Sequence, residues 1–302
     1  MSVLVVGSIA LDTVKTPFGE AKDAVGGSGV YFAAGASFFT PVNVVGVVGQ
    51  DFPLHSLDFL KTRKVDLRGL SVEKGKTFRW SGVYGFDLNT RETLDTQLNV
   101  FATFKPSIPD AYRRTEYVFL ANIDPELQRD VLRQVERPRL VVCDTMNFWI
   151  EGKRDALLKT LQQVDILILN DAETRQLAEE ADLIKAARRV LTMGPKTVVV
   201  KKGEHGALLI SPDDFFAAPA FPTESVFDPT GAGDSFAGGF VGHLARSGDL
   251  SHAAMRQAVI YGSVIASFNV ERFSMERLKD LTHEEIQARF REFKKITHFD
   301  ET

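Results

Sequence analysis

Apolar residues fall into two patterns along this chain. Short unbroken runs at Ser2–Ile9, Val42–Val48, Tyr117–Ala121, Leu140–Cys143, Ile166–Leu169 and Thr197–Lys201 have the length and branched-residue content of strands buried on both faces. Stretches with apolar positions at helical spacing lie between them. These are Pro53–Arg63 (through Leu54, Leu57 and Leu60), Glu126–Val135, Arg154–Gln163, Ala172–Glu179 and Leu183–Leu191. Val30–Phe39, small and apolar, follows the glycine cluster Gly26–Gly29 and predicts a tightly packed helix. Ala207–Ile210 adds a strand after a glycine-bearing turn. The last quarter is helical over Gly233–Arg246, His252–Phe268 and Glu284–Phe293. Strands alternating with helices predict an α/β fold, a parallel sheet with helices on both faces.

Residues 76–104 follow another rule. Thr77–Tyr84 is rich in β-formers, and Thr93–Phe101 nearly alternates, with Leu94, Leu98 and Val100 apolar between polar neighbours. That period of two predicts strands with one wet face. With no long linker or internal repeat, the expected organisation is a single domain over 1–302 carrying a small β insertion.

Composition narrows the function classes. Charged residues make up 25% and the formal charge is −4, so no broad basic surface for nucleic acid is expected. The one cysteine, Cys143, excludes an internal disulfide framework. No apolar run reaches the length of a membrane span, and the apolar N-terminus lacks a basic leader. It reads as a first strand, and a cytoplasmic location without membrane partners is the expectation. Gly75-Lys76-Thr77 lacks the spacing of a phosphate-binding loop, and the six histidines show no metal-ligand spacing.

Asp228-Pro229-Thr230-Gly231-Ala232-Gly233-Asp234-Ser235-Phe236 is the most informative stretch. A turn of small residues opens directly into a helix. Glycines let the backbone approach a ligand and aim successive N–H groups at it. The helix N-terminus adds about half a positive charge, which makes an anion hole suited to phosphoryl oxygens. Asp234 falls in the first helical turn beside it, where a carboxylate can accept a hydroxyl proton late in phosphoryl transfer. A capped helix with Asp in its favoured first turn explains the same spacing.

Residue for residue, this segment resembles the C-terminal signature of the PfkB family, the ribokinase-like sugar and nucleoside kinases. The resemblance implies that Asp234 is the catalytic base and that Gly231, Ala232 and Gly233 form the anion hole. Gly7-Ser8-Ile9-Ala10-Leu11-Asp12 resembles the family's first strand, whose terminal Asp binds substrate hydroxyls. That suits Asp12, because a carboxylate accepts hydroxyl hydrogen bonds well. Gly26-Gly27-Ser28-Gly29 resembles the substrate loop, placing Gly26, Gly27 and nearby Tyr31 on the acceptor. Asn170-Asp171-Ala172-Glu173 matches an N-x-x-E motif that helps organise Mg²⁺ and phosphates through water, so Glu173 would act on the metal indirectly. A plain Asn helix cap accounts for the same residues. Gly203-Glu204-His205-Gly206 resembles the turn along the nucleotide, which implies ATP contacts from Lys202, Gly203, Gly206 and Thr230. Asp228 and Thr230 match positions that can hold a monovalent cation. The implied fold is a ribokinase-like three-layer α/β/α sandwich with a small β-sheet lid built from about 13–25 and 76–104. ATP and Mg²⁺ are the implied cofactors.

The chain also departs from the family pattern. Tyr31 stands where sugar-binding relatives have Asn, and Ala10 where ribose-binding ones often do. Asn147 follows Asp144 one place later than usual, and Ser267–Phe273 lacks the usual Gly-Ala. The lid offers Arg79, Trp80, Tyr84, Asn89, Arg91, Asp95, Gln97 and Asn99; an arginine there can meet a phosphate or carboxylate. The leading expectation is an ATP-dependent kinase of a primary hydroxyl on a sugar or sugar derivative. A nucleoside kinase of the same family is the alternative, and a non-catalytic ligand-binding regulator on the kinase fold is the third. Open edges of the lid strands would let two copies pair as a homodimer.

Overall fold

The computed structural model describes residues 1–298 and 300. Its strands are β1 (Val3–Val6), β2 (Ala10–Thr16), β3 (Gly19–Gly26), β4 (Val42–Gly49), β5 (Val65–Glu73), β6 (Phe78–Tyr84), β7 (Arg91–Gln97), β8 (Tyr117–Leu120), β9 (Leu140–Asp144), β10 (Ile166–Asn170), β11 (Thr197–Lys201), β12 (Ala207–Ile210) and β13 (Phe215–Ala218). The helices are α1 (Ser28–Ala36), α2 (Asp58–Thr62), α3 (Pro125–Gln134), α4 (Asn147–Gly152), α5 (Arg154–Leu161), α6 (Asp171–Ala178), α7 (Leu183–Leu191), α8 (Ala232–Ser247), α9 (His252–Asn269), α10 (Glu276–Asp280) and α11 (His283–Thr297).

Nine strands form one sheet in the order β13-β12-β11-β10-β9-β8-β1-β4-β5. Neighbours from β11 to β5 are parallel, while β12 and β13 turn back antiparallel at one edge. Alternate residues of each strand serve opposite faces. Val3 and Val5 join α1, α8 and α9 in one core, and Leu4 and Val6 join α3, α5, α6 and α7 in the other. The layers are therefore helix, sheet, helix.

A second sheet has the order β3-β2-β6-β7. Its strands lie within 10–26 and 78–97, so it begins before residue 13 and ends before residue 104. The Ser2–Ile9 run does not form one strand: β1 stops at Val6 and the chain then crosses to the second sheet as β2. The break is packed tightly, since a side chain on Gly7 would come within 2.8 Å of the Gly29 nitrogen. Ser8 and Ser28 exchange hydrogen bonds there at 3.0–3.2 Å. The apolar run reported burial, which continues through the crossing residues 7–9, and not continuity of one strand.

Three further expectations need correction. Thr93–Phe101 has no buried face over β7: the strand is exposed at every position, and residues Asn99–Thr103 form a short helical turn instead. β7 is the outer strand of its sheet, so its alternation has no layer to face. Pro53–Arg63 is a helical turn at Leu54–Leu57 followed by only five residues of α2, with Leu54 turned outward. The edge strand β5 and the return strand β13 went unpredicted, although β13 is apolar throughout, whereas β3 lies largely within the 13–25 stretch expected for the lid.

Candidate active site

The carboxyl ends of the parallel strands converge on the N-terminus of α8. β9 ends at Asp144, β10 at Asn170 and β11 at Lys201, the last two side by side in register. In open α/β sheets this end of the strands is where ligands bind.

Gly231 caps α8 with φ near +75°, a conformation that favours glycine. The Tyr31 ring packs directly against it, so any side chain at Gly231 would collide. Ala232 therefore opens the helix and Asp234 is its third residue. The Ala232 N–H donates to the Pro229 carbonyl at 3.2 Å and that of Ser235 to the Gly231 carbonyl at 2.8 Å. The N–H groups of Gly233 and Asp234 have no hydrogen-bond partner among the described residues. The Gly231 N–H likewise has no partner among the described residues, so the free donors are those three, and the Ala232 amide is turned back onto the chain.

Four charged side chains surround this corner. Asp144 and Lys201 form an ion pair at 3.7 Å with side chains only 6% and 18% exposed. A methyl group on Gly233 would lie 2.9 Å from the Lys201 ammonium. Burial pushes the Asp234 carboxyl up to about 7, Asp144 adds to this, and Lys201 and Arg91 oppose it. Burial likewise pushes Glu173 up to about 7, against the pull of Lys201. For Lys201 burial works against the charge, but Asp144, Glu173 and Asp234 outweigh it and its pKa lies above the ordinary lysine value.

Asp12 sits on the other side, in β2, against Gly26, where a side chain would collide with its carboxylate. Burial and then Asp228 raise its pKa to about 7, while the Gly27 N–H lowers it. The Arg91 guanidinium, at the start of β7, also acts on Asp12, Glu173 and Asp234. The fold brings Asp12, Gly26, Gly27, Asp234 and Glu173 to one region, as the sequence predicts. Tyr31 is there too, but it is 2% exposed, its ring spent on Gly231.

Asn170 and Glu173 cap α6 reciprocally: the Asn170 side chain accepts from the Glu173 N–H and the Glu173 carboxylate from the Asn170 N–H, both at 2.8 Å. The cap uses only Glu173 Oε2 and leaves Oε1 without a hydrogen bond among the described residues. The Lys202 N–H donates to the Gly206 carbonyl at 2.8 Å and closes a turn with Gly203 and Gly206 at positive φ. Asn89, from the loop between β6 and β7, donates to Glu204 in that turn at 2.8 Å. Asp228 and Thr230 do not fit a monovalent cation. The Asp228 carboxylate accepts from the Thr230 and Ser274 N–H groups at 2.9 and 3.0 Å. The Thr230 carbonyl accepts from Asn269 at 2.9 Å, and the Thr230 hydroxyl bonds Tyr84.

Sequence reasoning missed Lys201, Asp144 and Asn269 as members of this region. Asp144 stands in the segment that leads to Asn147, which offered a signal. A lysine at a strand end is most often solvated, and nothing local marks Lys201 as buried.

A helix N-terminus with free amides, a carboxylate in its first turn and a second carboxylate across the cleft suit transfer of a phosphoryl group to an alcohol. Residues 3–279 match the model of the pfkB family carbohydrate kinases, and the chain belongs to that family. It is 29% identical over 254 residues to a cytidine kinase of Thermococcus kodakarensis, covering 82% of this chain and 89% of that one. Among solved structures, the nucleoside kinase of Methanocaldococcus jannaschii superposes with a TM-score of 0.78 at 21% identity, over 96% of this chain and 98% of that one. An aminoimidazole riboside kinase of Salmonella enterica, complexed with aminoimidazole riboside and an ATP analogue, gives 0.73 at 19% identity, over 96% and 100%. At these identities the solved structures bear on the fold, which is that of ribokinase.

Proposed function

We propose that the protein transfers the γ-phosphoryl group of ATP to the primary hydroxyl of a nucleoside, with Mg²⁺. The observation that carries the kinase reading is Asp234 at the third position of α8, beside the unpartnered N–H groups of Gly233 and itself. A pKa near 7 suits a base that must take a hydroxyl proton near neutral pH. Asp12 accepts hydrogen bonds from acceptor hydroxyls, which offset the cost of its burial. Gly26 and Gly27 leave the room this needs.

One observation favours a nucleoside over a free sugar: the similarity to a cytidine kinase runs over most of both chains. The free sugar is the second reading.

Lys202, Gly203, Gly206 and Thr230 line the nucleotide side. Glu173 fits a role at Mg²⁺. Its Oε1 is free of the cap, and Asp144, Glu173 and Asp234 outnumber the two cations that act on them, Lys201 and Arg91, an excess of negative charge that a divalent cation offsets. When bound, the ion neutralises charge on the phosphates. The small sheet acts as the lid. Tyr84 reaches Thr230, Asn89 reaches Glu204, and Arg91 faces the carboxylates, so closure brings the lid onto both substrates' sides and excludes water.

The test is ATP consumption against nucleosides, free sugars, sugar phosphates and polyols, with Asp234→Asn in parallel. Turnover of nucleosides that is lost in the variant supports the proposal. Turnover of free sugars alone moves the acceptor to the second reading. Binding of acceptors without any turnover identifies a ligand-binding regulator.

A further inference from the structure

We propose that Lys201 is a catalytic residue whose ammonium contacts the phosphoryl group in transfer, and that Asp144 is the positioning residue that holds it there. The inference rests on the kinase reading above. Lys201 ends β11 inside the cleft with its side chain 18% exposed, although lysines normally carry their charge out to water. Directly across from the ammonium is Gly233, whose own N–H is free, and a methyl group on Gly233 would be 2.9 Å away. The cation therefore stands at the N-terminus of α8. A helix dipole opposes a positive charge at that end. Asp144, Glu173 and Asp234 offset its charge, and the ammonium with the free Gly233 N–H beside it presents two donors to one anionic group.

The contact with Asp144 points the same way. At 3.7 Å it is longer than the roughly 2.7–2.9 Å of a charge-assisted hydrogen bond. Asp144 thus anchors Lys201 by charge and leaves the ammonium's N–H groups free to meet a ligand. Asp144, Glu173 and Asp234 together keep the lysine protonated. In the reaction, the acceptor oxygen bonds to the γ-phosphorus, the bond from that phosphorus to the ADP oxygen breaks, and the hydroxyl proton passes to Asp234. Lys201 and the amides of Gly233 and Asp234 stabilise the negative charge on the group in transit.

The variants are Lys201→Met, Lys201→Arg, Asp144→Asn, and Lys201→Met combined with Asp144→Asn, which removes both members of the ion pair. Each is checked for folding by Tm, assayed for turnover with the best acceptor, and titrated with AMP-PNP and with ADP, both with Mg²⁺. Lys201→Met is expected to lower kcat by about 10²–10³, as loss of one transition-state donor does, with acceptor KM little changed. It should also weaken AMP-PNP by about tenfold while leaving ADP unchanged, the loss of one charge-assisted hydrogen bond. Lys201→Arg should recover part of the turnover, Asp144→Asn should lower kcat at unchanged KM, and the double variant should stay as slow as Lys201→Met. Wild-type turnover in the double variant, or equal weakening of AMP-PNP and ADP in Lys201→Met, overturns the proposal. Should the wild type phosphorylate no acceptor, the kinase reading fails, and the comparison of the two nucleotides still decides on Lys201.

Discussion

The two sheets of this molecule are held in different ways. In the large sheet, β1, β8 and β9 are buried at every position and β10 at all but Asn170. In the small one, β7 is exposed throughout and β3 is buried only at Gly26. Its buried positions include Asp12 on β2 and Tyr84 on β6 at the site, and the apolar Ala10, Leu11 and Val14 on β2. Ion pairs from Arg79 to Asp23 and Asp51 add to the hold on β6. The large sheet therefore fixes Asp144, Lys201, Glu173 and Asp234 within a continuous core. On the proposed reading the small sheet carries the acceptor contacts on an element less buried than the large sheet, the kind that opens at lower free-energy cost. Groups that must hold sub-ångström geometry sit on the first, and groups that must let substrate in sit on the second.

The largest expected effect probes the rigid side. Asp234→Asn should lower kcat by about 10²–10⁴, measured as acceptor-dependent ATP consumption. Its stability should not fall. The folded pKa of Asp234, about 7, lies above its ordinary 3.8, so its favourable contribution is complete below 3.8 and lost as pH rises through 7. At pH 8 the ionised carboxylate opposes folding, and a Tm for Asp234→Asn well below wild type there would contradict this.

Next comes packing in the large sheet. Leu167→Ala, at a fully buried position of β10, should cost about 2–5 kcal/mol in denaturant unfolding. On the small sheet, Asp12→Asn should raise the acceptor KM by about ten- to a hundredfold, since hydrogen bonds to a charged group are replaced by neutral ones. An effect confined to kcat would place Asp12 with the catalytic groups and blur the division. A pH series sharpens the same point. Wild-type kcat/KM should rise between pH 6 and 8 as Asp12 and Asp234 ionise, while Tm falls over that range. A parallel rise of both would break it. The smallest effect is Leu94→Ala on β7, 60% exposed, expected within about 0.5 kcal/mol of wild type. A cost like that of Leu167→Ala would mean that β7 is covered in solution.

Much of the fold and of the site is legible in the amino-acid sequence alone. Strands buried on both faces leave unbroken apolar runs, so β4, β8, β9, β10 and β11 can be marked within a residue or two. The anion-binding turn is local as well: Gly231, Gly233 and Asp234 lie within four positions, and a turn opening into a helix fixes their relation with no help from the rest of the chain. What the pattern of residues conveys is whether a position is buried. It does not convey what lies next to it. That Lys201 meets Asp144 from 57 positions earlier, that Tyr31 packs on Gly231, and that the run after Met1 leaves the large sheet at Val6 were decided by strand order and helix packing. An alternation such as that of Thr93–Gln97 likewise means burial only if another layer covers it, and only the assembled fold supplies or withholds that layer.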